Sequence, residues 1–249
     1  MKYAILAAGE GSRLCEEGVE DPKPLVKVGG EHLVDRLCRI FRQNGANEMA
    51  VVCNNRTPQT YRHLKELSQH LQGLSQQHLP PLHIHVETTL SSMHSLYALS
   101  PWLKGDEPFL VTTVDTIFDE DEFREYITSF QSAVTEGYDA MMVVTDYIDD
   151  EKPLYVDVAD DFTIRGFFDT ADYPATKRYV SGGIYGLTPQ TLNVLEHCIS
   201  NGESRMRNFQ RALVAEGLRL KAFPFTKVLD IDHKRDIEKA EAFLEEMRK

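Results

Sequence analysis

Apolar runs of strand length alternate with segments of helical period almost from end to end of the chain. This is the pattern of a largely parallel β-sheet with helices on both faces. Strands are predicted at Tyr3 to Ala8, Met49 to Cys53, His83 to Val86, Phe109 to Val114, Ala140 to Thr145, Val180 to Leu187 and Leu218 to Phe223. Helices are predicted between most of them, at Gly30 to Gln43, Thr57 to Leu71, Ser92 to Ser100, Glu120 to Ala133, Pro189 to Ile199, Arg207 to Glu216 and Lys234 to Met247. The rhythm breaks at Leu154 to Phe168, where Leu154-Tyr155-Val156-Asp157-Val158 and Thr163-Ile164-Arg165-Gly166-Phe167-Phe168 flank an Asp-Asp turn, as in a hairpin. Gln72 to Pro81 reads as a polar connector, and no repeat or low-complexity tract interrupts the pattern.

These elements give an expected α/β fold: a three-layer, Rossmann-like, mixed and mainly parallel sheet with a small antiparallel insertion. The 249 residues are long enough for a large core and are read as one domain, 1–249. No apolar run approaches the ~20 residues of a membrane span. The apolar start, Tyr3 to Ala8, is too short for a secretion signal and leads into Gly-Glu-Gly-Ser-Arg rather than a small-residue cleavage site, so it is read as a strand. Cys15, Cys38, Cys53 and Cys198 are scattered, without zinc-site spacing or the density of a disulfide scaffold, and fit reduced thiols in the cytoplasm. With 27 Lys and Arg against 39 Asp and Glu, the net charge of −12 argues against a nucleic-acid groove. A polyanionic small substrate would therefore arrive with a metal or meet a local basic pocket.

The first strand delivers Leu6-Ala7-Ala8-Gly9-Glu10-Gly11-Ser12-Arg13 to the carboxyl edge of the sheet, where open α/β folds bind ligands. Glycines let the backbone approach phosphates and aim N–H groups at them, and Arg13 can fork onto phosphate oxygens. The spacing Gly-x-Gly-x-Arg is neither a Walker A loop nor a dinucleotide fingerprint, which needs a third glycine where this chain has Leu14. A tight strand-to-helix turn is the plain alternative. Further on, Asp21-Pro22-Lys23-Pro24-Leu25-Val26 places a lysine between two prolines, whose stiff backbone holds the ammonium as a point charge.

At these two stretches the sequence resembles the nucleotidyltransferases that make NDP-sugars, CDP-choline-type compounds and related activated molecules, namely NDP-sugar pyrophosphorylases and phosphocholine cytidylyltransferase-like enzymes. The resemblance implies transfer of a nucleoside monophosphate from an NTP to a small phosphorylated acceptor, a sugar 1-phosphate or a phosphocholine-like compound, with release of pyrophosphate. It implies that the backbone of Leu6, Ala7, Ala8, Gly9, Glu10 and Gly11, with Ser12, contacts the nucleotide, and that Arg13 and Lys23 bind its phosphates and stabilise the departing pyrophosphate. No nucleic-acid or membrane partner is expected.

Asp115 ends the apolar strand at the same sheet edge as the glycine loop, which makes it a candidate Mg²⁺ ligand or, more plainly, a turn residue. In the family a late Asp shares the metal, and in Val228-Leu229-Asp230-Ile231-Asp232 the residue Asp230 matches it best, while Asp232 reads as a loop-orienting or helix-capping residue. Thr88, Ser91 and Ser92 take the places that touch the nucleobase in the family; either serine would equally serve as a helix N-cap. Gly183 and Tyr185 lie in Val180-Ser181-Gly182-Gly183-Ile184-Tyr185-Gly186, which resembles the segment backing the acceptor. Sugar nucleotidyltransferases usually place Glu-Lys-Pro before that segment. This chain has Phe167-Phe168-Asp169-Thr170, so the missing cation would come from Lys152, Lys177, Arg178, Arg205 or Arg207. That departure shifts the expectation toward CTP and a small non-hexose phosphate. The alternatives are a nucleotide-sugar-dependent glycosyltransferase, which would usually show Asp-x-Asp where Asp115 is followed by Thr116-Ile117, and a non-catalytic nucleotide-binding regulatory module.

Overall fold

The structure is a computed structural model that describes residues 1–73, 79–172 and 177–247. The chain opens with β1 (Lys2–Ala7), a short helix α1 (Ser12–Glu16), a 3-10 turn over Lys23–Leu25, and a two-residue-per-arm hairpin of β2 (Lys27–Val28) and β3 (Glu31–His32). Then come α2 (Leu33–Gln43), β4 (Glu48–Cys53), α3 (Pro58–Gly73), β5 (Leu82–Val86), α4 (Ser92–Leu103), β6 (Phe109–Thr113), β7 (Thr116–Phe118) and α5 (Glu120–Thr135). The second half runs β8 (Ala140–Thr145), β9 (Tyr155–Val158), β10 (Ile164–Phe168), β11 (Tyr179–Leu187), α6 (Thr191–Ser200), α7 (Met206–Ala215), β12 (Leu220–Phe225), β13 (Val228–Asp230) and α8 (Lys234–Met247).

Among the described residues, nine strands form the main sheet. β1 lies between β4 and β6, parallel to both (Ala4 opposite Ala50 and Val111), and β5 extends the row beyond β4. β11 runs antiparallel to both β6 and β8, so β8 and its parallel neighbour β12 share the direction of β1. The sheet is therefore mixed and mainly parallel. The antiparallel insertion is the pair β9 and β10, attached through Tyr179 and Val180 of β11. Burial of β1 on both faces explains its unbroken apolar run. Tyr3, Ile5 and Ala7 pack with Leu37, Ile40 and Phe41 of α2, and Ala4, Leu6 and Ala8 pack with Met93, Leu96 and Leu99 of α4. These are the three layers.

Several boundaries differ from the sequence reading for identifiable reasons. The helix expected from Gly30 starts at Leu33, because Gly29 and Gly30 take positive φ (60° and 85°) to turn the β2–β3 hairpin. α4 runs through Pro101 to Leu103, whose side chain is buried and offsets the lost backbone bond. β12 lies two residues later than expected and contains Pro224, which an edge strand tolerates. Of the polar connector at 72–81, residues 74–78 lie outside the described residues. The four cysteines are free, and no helix among the described residues is long and apolar enough to cross a membrane.

A buried cation ties α2 to α5. Arg36, 4% exposed, donates to Glu120 Oε1 at 2.6 Å and to the Phe118 carbonyl at 2.9 Å, while Arg39 donates to Glu120 Oε2 at 2.8 Å. Asp119 caps α5 by accepting from the amides of Asp121 and Glu122, which fixes where Glu120 emerges. The hydrogen bond from Arg39, then the charges of Arg36 and Arg39, hold the Glu120 carboxyl below the usual carboxylate range against partial burial. A depressed folded-state value means stability that is present above the unfolded carboxylate value and is lost as pH falls through the folded one. Glu120→Gln strands the Arg36 charge and is expected to cost about 2 kcal/mol at pH 7, with a smaller difference from the wild type near pH 3. Denaturant unfolding at the two pH values measures this; an equal loss at both would remove the electrostatic explanation.

Candidate active site

Parallel β1, β4 and β6 end together, so the loops after them share one sheet edge. Between them lies a cleft of about 650 Å³ lined by residues of the glycine loop, the segment 88–92, Lys23 and Asp115. A volume of that order suits a mononucleotide-sized ligand. Gly11 has φ 62°, and a Cβ there would stand 3.0 Å from the Lys23 Cβ. The second glycine is thus required both by its backbone and by the close passage of the Pro-Lys-Pro segment. Gly9 faces open space, with nothing within 4 Å of a Cβ built there. Leu6, Ala8, Gly9, Glu10, Gly11 and Ser12 all line the cleft; Ala7 alternates to the opposite face of the sheet and is packed into the core there.

Lys23 and Arg13 converge on one carboxylate. The Lys23 ammonium, 10% exposed, bonds Asp115 and lies 2.7 Å from Asp232 Oδ1, while Arg13 Nη1 reaches Asp232 Oδ2 at 2.8 Å. Burial disfavours the ammonium, but the Asp115 and Asp232 carboxylates outweigh it and hold Lys23 above the usual lysine range. Asp232 responds in kind: partial burial works against its charge, and Lys23 followed by Arg13 holds its carboxyl low. The structure corrects the capping role for Asp232. The amides at the start of α8 go to Asp236 (His233 N, 2.8 Å) and Glu17 (Lys234 N, 2.7 Å), leaving the Asp232 side chain to orient the two cations.

Asp115 and Asp230 are brought side by side by a short ladder invisible to periodicity. β13 pairs antiparallel with β7, setting Asp230 opposite Thr116, and the Ile231 amide donates to the Asp115 carbonyl at 3.1 Å. The Thr116 hydroxyl donates to Asp230 Oδ1 at 3.4 Å. Asp230 is exposed at the wall of a smaller cavity that adjoins the cleft, so water there weakens the cost of its desolvation. Crowding by protein atoms and the facing Asp115 carboxylate together hold its carboxyl above the usual range. Two like charges so placed favour a cation between them.

The edge facing β4 and α4 was only partly legible. Thr88 donates to Asn54 Oδ1 at 2.7 Å and also bonds Asn55, while buried Asn54 donates to the Ala8 carbonyl at 3.0 Å. Asn54 thus ties the glycine loop to the 88–92 segment. Arg56 lines the cleft and pairs with Glu10. The sequence reading includes neither residue; their signal is the polar run Asn54-Asn55-Arg56 at the end of an apolar strand. Ser91 stands at the N-cap of α4 without capping it: its hydroxyl meets His94 Nδ1 at 3.0 Å and accepts from the Arg205 amide at 3.1 Å. Ser92 lines the cleft, and Leu90 projects with 87% exposure.

A smaller cavity of about 70 Å³ adjoins the cleft, and Arg13 and Asp232 line both. Its walls include Tyr147, Asp149, Asp150, Glu151, Ser181 and Gly182. Gly183 and Tyr185, expected to back the acceptor, line neither cavity. Gly183, with φ 72°, lets β11 pass Thr113 and Thr116, whose hydroxyls would stand 3.1 and 3.0 Å from a Cβ, and Tyr185 is buried in the core. Of the cations proposed to replace the family lysine, Arg207 bonds Asp169 at 2.5 Å and Lys177 bonds Asp146 at 2.9 Å. Arg205 takes a strained φ of 72°, and the Lys152 carbonyl accepts from Arg207 at 3.1 Å. Arg178 is exposed beside Tyr179.

Sheet order and cleft together define a three-layer α/β fold that opens a cleft at the carboxyl ends of parallel strands. Within that class the chain belongs to the MobA-like NTP transferase domain family, whose model matches residues 3–212. Glucose-1-phosphate cytidylyltransferase of Salmonella typhimurium is 27% identical over 135 residues, 49% of this chain and 52% of that protein. Glucose-1-phosphate adenylyltransferase of Corynebacterium kroppenstedtii is 24% identical over 252 residues, 84% of this chain and 58% of that protein. The chain thus spans about half the length of the curated relatives it matches. The fold is shared with the inositol-1-phosphate CTP transferase from T. maritima (TM-score 0.77, 18% identity, covering 100% of this chain and 96% of the other). It is shared equally with a UDP-glucose pyrophosphorylase complexed with UDP-glucose (TM-score 0.76, 16% identity, 98% of both chains).

Proposed function

We propose that the chain is a Mg²⁺-dependent nucleotidyltransferase that moves a nucleoside monophosphate from an NTP to a small phosphorylated acceptor and releases pyrophosphate. The observation that carries this is Lys23: a nearly buried ammonium fixed between Asp115 and Asp232, packed against Gly11, and facing the floor of a mononucleotide-sized cleft. An acceptor phosphate oxygen attacks the α-phosphorus in line, the bond from that phosphorus to the bridging oxygen of the β-phosphate breaks, and the electron pair leaves with pyrophosphate. Arg13 and Lys23 neutralise the leaving group. The acceptor phosphate is ionised at neutral pH, so no general base is needed. The two adjacent carboxylates Asp115 and Asp230 are oxygen donors of the kind Mg²⁺ prefers, and they would hold it. A bound Mg²⁺ supplies charge neutralisation at the phosphate oxygens.

CTP is the proposed donor, in keeping with the cytidylyl and CTP transferases among the similar proteins. For the acceptor, the acidic lining of the small cavity, with Asp150 and Glu151 among its carboxylates, favours a phosphate carrying a cationic head such as phosphocholine. The names of the curated relatives favour the second reading, a hexose 1-phosphate. Pyrophosphate release measured for the four ribonucleotides and dTTP against phosphocholine, glucose 1-phosphate and mannose 1-phosphate separates them. Turnover of hexose phosphates with none of phosphocholine removes the cationic acceptor, NDP release from an NDP-sugar points to a glycosyltransferase, and binding without turnover points to a regulatory module.

Asp232→Asn is expected to lower kcat/KM about 10- to 100-fold by misplacing Arg13 and Lys23, with the Mg²⁺ concentration dependence unchanged. A loss of Mg²⁺ response as deep as that of Asp115→Asn would make Asp232, rather than Asp230, the second metal ligand.

A further inference from the structure

Away from both cavities, two imidazoles from different elements converge on one carboxylate. His32 ends β3, Asp35 lies one turn further on in α2, and His63 projects from α3. His32 Nδ1 lies 2.9 Å from Asp35 Oδ2, and His63 Nε2 lies 2.7 Å from Asp35 Oδ1. The two rings meet edge to face with centroids 4.7 Å apart, and one donor atom from each of the three residues lies within 4.8 Å of the others. We propose that His32, Asp35 and His63 form a transition-metal site, occupied by Zn²⁺, that clamps α2 to α3.

The plain alternative is a hydrogen-bonded His-Asp-His group at the surface. Three features favour a metal. The donor set of two imidazoles and one carboxylate is that of a three-ligand zinc centre with a fourth position for water, and it is unlike the all-oxygen set preferred by Mg²⁺ at Asp115 and Asp230. The carboxylate uses each oxygen for a different ring, so both rings already point at one region. Metal–ligand bonds of about 2.0–2.2 Å place tetrahedral ligand atoms about 3.4 Å apart, so three donor atoms that already lie within 4.8 Å of one another reach that spacing by side-chain shifts of about an ångström. The ion takes the place of the hydrogen atoms that bridge the rings to Asp35, and each neutral imidazole then carries its one proton on the ring nitrogen facing away from the metal. The three side chains are 26%, 25% and 26% exposed, which leaves an entry path. Such a clamp would also brace the β2–β3 hairpin, where His32 is paired with Lys27, just after the Lys23 segment.

The test uses the full chain stripped with EDTA and titrated calorimetrically with ZnCl₂ in the presence of excess Mg²⁺. One equivalent of Zn²⁺ is expected to bind and raise the Tm. His63→Ala and Asp35→Asn are each expected to weaken that binding about tenfold or more and to abolish the Tm shift. His85→Ala, which removes a different imidazole paired with a carboxylate (His85 and Glu87, 2.8 Å), is expected to change neither. Co²⁺ added to the stripped protein is expected to give a tetrahedral d–d absorption band that is lost in the first two variants. Far-UV circular dichroism and the apo Tm show whether each variant folds, and His63→Gln supplies a second, milder change at the same place. Absence of saturable Zn²⁺ binding to the wild type, or equal binding by folded His63→Ala and His63→Gln, would overturn the site.

Discussion

Lys23→Ala is expected to lower the rate of pyrophosphate release by about 10²- to 10³-fold at saturating NTP, because removing one preorganised charge at the leaving group costs that much in comparable sites. Three observations set the size of the effect. The ammonium is 10% exposed, so water cannot replace it cheaply. It is held in its charged form by Asp115 and Asp232. Arg13 sits at the other Asp232 oxygen and is 51% exposed, so its charge is more screened by water than the one that is removed. Lys23→Arg is expected to recover only part of the rate, since a planar guanidinium does not reproduce the compact point charge held between Asp115 and Asp232 in a nearly dry place. Steady-state pyrophosphate release with far-UV circular dichroism as a folding control measures both. Near-normal turnover of Lys23→Ala would remove Lys23 from the chemistry.

The elements that carried this prediction were legible to different degrees. β1, β4, β6 and β8 are apolar on both faces because helices cover both sides, and that burial writes itself into the chain as an unbroken run. β7 and β13 are three residues each, too short for any period, and their pairing joins residues more than a hundred positions apart. The sequence therefore named Asp115 and Asp230 but held no sign of why they meet. The same limit applies to Asp232. An Asp before a helix reads as a cap from local pattern, and only the long-range approach of Arg13 and Lys23 shows otherwise. Gly183 illustrates the reverse error: a glycine in a functional-looking stretch is explained by the close approach of Thr113 and Thr116 to its own strand. His32, Asp35 and His63 carry no spacing signature, because α3 supplies His63 from a separate helix.

The second large effect is expected at the paired carboxylates, and it separates function from stability. Asp115→Asn keeps the shape of the side chain while removing a negative charge from a group that bonds Lys23 and is proposed to ligate Mg²⁺, so activity should fall about 10³-fold or more and excess Mg²⁺ should not restore it. Its stability should fall too, since Lys23 loses a partner in a nearly dry position. Asp230→Asn should match it in lost activity and differ in sign on stability. Asp230 has no cation within salt-bridge distance among the described residues, and it faces the Asp115 carboxylate, which together with crowding disfavours its charged form. A neutral amide at 230 relieves that repulsion while keeping the place of Asp230 in the short ladder with Thr116. In metal-free buffer at pH 7, the Tm should therefore rise for Asp230→Asn and fall for Asp115→Asn, with both enzymes inactive. Added Mg²⁺ should raise the Tm of the wild type and of neither variant. If Asp230→Asn lowers the Tm in metal-free buffer, or if Mg²⁺ still stabilises it, the two carboxylates do not act as a strained pair awaiting a cation.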